Sequence, residues 1–79
     1  MKLPRDLSGE DLIKHFCKHW QYARIHQVGS HVILQTQQPT SHRIAVPAHT
    51  PLRIGTLNAI LAAVAAHKCV AKEEILKGI

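Results

Sequence analysis

The chain has 79 residues, with ten Lys and Arg against five Asp and Glu and a formal net charge of +5. That length excludes an active site built between domains, and it leaves a thin core, since so short a chain buries only about 60% of its unfolded surface. A positive excess on one small domain points to an anionic partner, nucleic acid first and an acidic protein second. Two cysteines, Cys17 and Cys69, are too few for a disulfide framework. The opening MKLPRDLSGEDL lacks the apolar stretch of a signal peptide, and no run reaches the ~18 apolar residues of a membrane span. The expectation is a single domain over residues 1–79, reduced and cytoplasmic, with no membrane association.

In chain order, Ser8 is placed to cap a first helix, with Glu10 and Asp11 favourable in its first turn. Leu12, Ile13, Phe16, Cys17 and Trp20 recur at helical spacing and form its apolar stripe, with Lys14 and Lys18 opposite and His15 and His19 flanking. Tyr22 to Val28 reads as a strand, Gly29-Ser30 as a two-residue type II′ turn and His31 to Thr36 as the return strand. QTQQPTS is a polar loop. His42 to Val46 is a short third strand ended by Pro47, and PAHTPLRI is an irregular connection. Thr56 is expected to cap a second helix from Leu57 to about His67, buried along Leu57, Ile60, Leu61 and Val64. The tail AKEEILKGI has a weak helix start at Ala71. The order helix, three antiparallel strands, helix is an α+β arrangement in which both helices cover one sheet face and leave the other open.

The tight turn fixes the pairing on paper. Val28 meets His31, Gln27 meets Val32, His26 meets Ile33, Ile25 meets Leu34 and Arg24 meets Gln35. Alternation then puts Ala23, Ile25, Val32 and Leu34 on the helix side. Arg24, His26, Val28, His31, Ile33 and Gln35 fall on the open side, joined there by Arg43 and Ala45 of the third strand. His26 and His31 become diagonal neighbours. The Gly29 and Ser30 amides lie beside His31, where they can donate to a phosphate oxygen.

Four blocks in this order resemble the HicA (YcfA-like) toxins of bacterial toxin–antitoxin pairs. They are DLSGEDLIKHF, then GSH at residues 29–31, then RIAVPAH with Val46, Pro47 and His49, then GTLNAIL from Gly55. The resemblance covers nearly the whole chain. It implies a double-stranded-RNA-binding-domain-like fold, mRNA cleavage with one key histidine, His31 by position, and a HicB-type antitoxin that binds and neutralises the toxin, with oligomers formed through that complex. Many relatives carry a basic residue just before Gly-Ser-His, where this chain has His26-Gln27-Val28.

RNA supplies its own nucleophile, the 2′-hydroxyl, and needs a base that is neutral near pH 7. A histidine of ordinary pKa, about 6.5, qualifies. The expected assignment is His31 as general base or acid, with His26 as a second proton-transfer group. Arg24, His26, Gly29, Ser30, Arg43 and Arg53 are the candidate RNA contacts. Gln35, Gln37, Gln38, Thr40 and Ser41 can add loop contacts, as double-stranded-RNA binders use shape rather than sequence. No metal or other cofactor is called for. His15 and His19 have the i, i+4 spacing of zinc ligands but no third ligand, and read better as surface histidines. Ala59, Ala62, Ala63 and Ala66 make an uncharged helix face, either plain helix stabilisation or a contact surface. A non-catalytic RNA-binding regulator and a basic protein that only binds an acidic partner are the rival classes.

Overall fold

The computed structural model describes residues 7–38, 40–48 and 52–77. Helix α1 spans Gly9–His19, followed by strands β1 (Ala23–Val28), β2 (His31–Thr36) and β3 (His42–Pro47), then α2 (Ile54–Lys68) and a single turn, α3 (Lys72–Leu76). The strands form one antiparallel sheet in the order β1-β2-β3. This is the expected α+β layout, with the tail turn realised as α3.

The core lies between one sheet face and the helices. Val32, Leu34, Ile44 and Val46 from the sheet join Leu12, Ile13 and Phe16 of α1 and Leu57, Ile60, Leu61 and Val64 of α2. Ile75 of α3 is fully buried beside them. Ser8 caps α1 as expected, its hydroxyl accepting from the Asp11 amide at 3.1 Å. The α1 stripe is rotated relative to expectation, because Cys17 is exposed and His15 is buried at 7% exposure. The cause is α3, whose Ile75 carbonyl receives the His15 Nε2–H at 2.7 Å and covers that side of the helix. Burial, with the neighbouring His19, holds the His15 pKa below its usual value, against the opposing pull of the Ile75 carbonyl.

Helix α2 starts earlier than Thr56. Arg53 is the N-cap, without a side-chain bond, and the Leu57 amide already bonds the Arg53 carbonyl at 2.9 Å. Buried Leu52 fixes this start, since its amide bonds the Leu7 carbonyl at 2.8 Å and ties the approach to α2 to the approach to α1. Helix α2 ends on Cys69 in the left-handed conformation, φ 59°, and the Val70 amide returns to the Ala65 carbonyl at 3.0 Å. Ala59, Ala62, Ala63 and Ala66 stay exposed with α3 in place. No helix among the described residues is long and apolar enough to cross a membrane.

Candidate functional site

The Gly29-Ser30 turn forms as expected. Gly29 has φ +60° and Ser30 does not share the positive φ, which selects type II′ over type I′. Near the turn the register matches the paper pairing, with Val28 opposite His31, Gln27 opposite Val32 and His26 opposite Ile33. On the other side of β2, His31 faces Pro47 and Ile33 faces Ala45. His31 and His26 therefore occupy adjacent positions on the open sheet face, both exposed. Among the described residues no group hydrogen-bonds either imidazole.

Farther from the turn the register slips. A bulge between Arg24 and His26 pairs Arg24 with Leu34 and Ala23 with Gln35. Arg24, expected beside His26 on the open face, is instead on the helix side, and Ala23 moves to the open side. Ile25, expected in the core, is 46% exposed. The reversal follows from the period of two, because one extra residue exchanges the faces of everything beyond it. Arg24 meets Glu10 of α1 at 3.5 Å, with both side chains 46% exposed, so the pair itself stabilises by only ~0–1 kcal/mol.

Two contacts brace the hairpin end. The Ala48 amide donates to the Ser30 carbonyl at 2.7 Å. The Gln27 side chain donates to the Gly29 carbonyl at 2.9 Å, and its own carbonyl accepts from Arg24 at 3.2 Å. Helix α1 arrives at the same end. Its first residue, Gly9, is buried so closely on the Pro47 carbonyl that a Cβ there would overlap it. The Leu7–Leu52 bond then brings the start of α2, with exposed Arg53, to this end of the domain. Arg43 lies on the open face as expected, two β pairs beyond Ile33 and Ala45, where it donates to the Gln35 side-chain Oε1 at 3.1 Å. Of the expected contacts, His26, Gly29, Ser30 and Arg43 thus share the His31 face or its turn, Arg53 lies at the same end of the domain, and Arg24 points away. His49 lies outside the described residues.

A second polar cluster, at the opposite end of the sheet, had no counterpart in the sequence reading. Lys68 at the end of α2 donates to the Gln38 carbonyl at 2.6 Å and the Thr36 hydroxyl at 3.1 Å, and its ammonium sits 5.2 Å from the centre of the Tyr22 ring. His67 donates to the Thr40 carbonyl at 3.0 Å and stacks on His42 with ring centres 4.2 Å apart. The Tyr22 hydroxyl, its pKa pushed up to about 12 by burial, donates to His42 Nδ1 at 2.8 Å. His42 is held below its usual pKa by burial and by the adjacent His67 and Lys68. Every member has a protein partner, so the cluster fastens the β2–β3 connection to α2. A hint was available in the polar residues Gln37, Gln38, Thr40 and Ser41 before β3 and the His67-Lys68 end of α2, but nothing in the spacing pairs them. Among the described residues no three His, Cys, Asp or Glu side chains are grouped to hold a metal.

Comparison with protein-family models, with curated proteins and with solved structures finds no match to this chain.

Proposed function

We propose that the chain is a HicA-like mRNA interferase, the toxin of a toxin–antitoxin pair, acting in the cytoplasm and held inactive by a HicB-type antitoxin. The observation that carries this is His31, an exposed imidazole on a braced hairpin whose ring is left to a ligand by the described residues. A domain of net charge +5 supplies attraction for the RNA backbone.

In this mechanism neutral His31 takes the proton from a ribose 2′-hydroxyl. The 2′-oxygen attacks the adjacent phosphorus, and the bond from phosphorus to the 5′-oxygen breaks. The products are a 2′,3′-cyclic phosphate and a 5′-hydroxyl, with the leaving oxygen protonated by His26 or by water. One positioned base contributes roughly 10²–10⁴-fold. Among the described residues Arg53 is the cation at this end of the domain, while Arg43, four β pairs along the sheet from His31, is placed for a more distant phosphate of the same strand, a sparse set that makes for a modest enzyme.

The turning of Arg24 to Glu10 favours one second reading, an RNA-binding regulator that does not cut. Induced expression of wild type and His31→Ala, with growth and mRNA integrity followed together, separates the two. Growth arrest and mRNA loss with wild type alone support the nuclease. Equal arrest by both with mRNA intact supports the regulator.

A further inference from the structure

The contact from Gln27 to the turn has a stereochemical consequence. Types I′ and II′ differ by a flip of the central peptide, here the one joining Gly29 to Ser30. Gln27 is opposite Val32, whose side chain is fully buried on the helix side of the sheet, so Gln27 also stands on that side. It donates to the Gly29 carbonyl at 2.9 Å, and the carbonyl is thereby drawn to the helix side. In a trans peptide the N–H opposes the C=O. The Ser30 N–H consequently faces the open side, the side on which the His31 and Val28 side chains stand. Arg24 holds the Gln27 carbonyl at 3.2 Å and fixes which end of the amide faces the turn, while Glu10 of α1 holds Arg24 at 3.5 Å.

We infer that Gln27 is a positioning residue that sets the Ser30 backbone N–H as a phosphate-oxygen donor beside His31, with Arg24 and Glu10 behind it. This rests on the nuclease reading for its catalytic meaning, although the orientation of the amide can be measured without it. It also gives Arg24 a role on the face to which the bulge turns it, as the support of the turn rather than an RNA contact. The ligand is the phosphodiester of an RNA chain. A backbone donor aimed at a non-bridging oxygen stabilises the charge that builds there as the 2′-oxygen attacks, and it needs no cation at position 28, where the chain has valine.

The test uses the full chain and a 2′-deoxy oligonucleotide, which offers the same phosphates and cannot be cut by 2′-oxygen attack. Amide spectra are recorded for wild type, His31→Ala, Gln27→Ala and Gln27→Glu, the last keeping size and losing the donor. The expected result is a saturable shift of the Ser30 amide in wild type and His31→Ala that is lost in both Gln27 variants, with the remaining spectrum intact. With RNA, both Gln27 variants are expected to lose at least about 10-fold in kcat, set against the ~10²–10³-fold of a wholly removed donor, and to keep KM. A Ser30 amide that responds equally in Gln27→Ala, or that fails to respond in wild type, overturns the inference. Wild type that leaves RNA uncut removes the nuclease reading alone, since the Ser30 response to the uncleavable strand is read independently.

Discussion

Replacing Gly9 with alanine sets two effects of opposite sign against each other. Helix propensity favours alanine over glycine by up to about 1 kcal/mol. Packing opposes it. A Cβ at Gly9 would overlap the Pro47 carbonyl oxygen and lie 2.8 Å from its carbon and 2.9 Å from the Ala48 Cα, all backbone atoms with no rotamer to yield. The end of β3 cannot retreat freely, because Pro47 is paired with His31 and the Ala48 amide holds the Ser30 carbonyl. Overpacking costs about 1–3 kcal/mol or more, and clashes with backbone alone put this site at about 2–3 kcal/mol, so after the ~1 kcal/mol of propensity is subtracted the net effect is a loss of about 1–2 kcal/mol. For a domain of this size that lowers Tm by roughly 4–16 °C. Gly55 provides the internal control, since a Cβ built there meets nothing within 4 Å, and Gly55→Ala is expected to hold or raise Tm. Thermal unfolding followed by circular dichroism reads both variants. A Gly9→Ala protein as stable as wild type, or more so, refutes the proposed seating of α1 on the end of β3.

Other outcomes follow from the same structure. Stability should fall as pH drops from 7 to 5, because His15 and His42 have folded-state pKa values below the usual 6.5, so their contribution is complete above 6.5 and lost as pH falls through the lowered values. A Tm that stays level over that window contradicts the burial of both rings. Cys69→Gly removes a side chain from a left-handed residue at an exposed helix end and should stabilise by about 1 kcal/mol, measured by urea unfolding; a loss of stability would contradict the left-handed cap. Arg43→Ala should weaken RNA binding and reduce the slope of log affinity against log salt by about one, whereas Arg24→Ala should leave the slope unchanged. An equal change in slope for the two arginines would contradict the separation of their faces by the bulge.

How far the sequence carried can be read at particular residues. Gly29-Ser30 allows only a tight turn, and a tight turn leaves one register, so the pairs from Val28–His31 to His26–Ile33 were legible along with the shared face of the two histidines. The bulge at Ile25 was not, because no glycine or proline marks it and the ion pair from Arg24 to Glu10 joins segments 14 residues apart. His15 and Cys17 sit at the two margins of a stripe centred on Leu12 and Phe16. Hydrophobicity alone prefers the cysteine, and only the docking of Ile75, 60 residues away, decides for the histidine. Thr56 has the chemistry of a cap, yet the start of α2 is set by the Leu52 anchor and its bond to Leu7. The Lys68 and His67 contacts with the β2–β3 connection are likewise tertiary, with partners 27 to 32 residues apart. For the site, the residue types and the turn were visible in the sequence, and the arrangement of the supporting groups was not.

Whether His31 cuts RNA is decided by cleavage of a labelled RNA with the purified chain, wild type beside His31→Ala, with RNA affinity measured on both and the product ends identified. The expected result is cutting by wild type only, retained affinity in His31→Ala, and products ending in a cyclic phosphate and a 5′-hydroxyl. Cutting that survives the loss of His31, or products with a 5′-phosphate from attack by water, would contradict it.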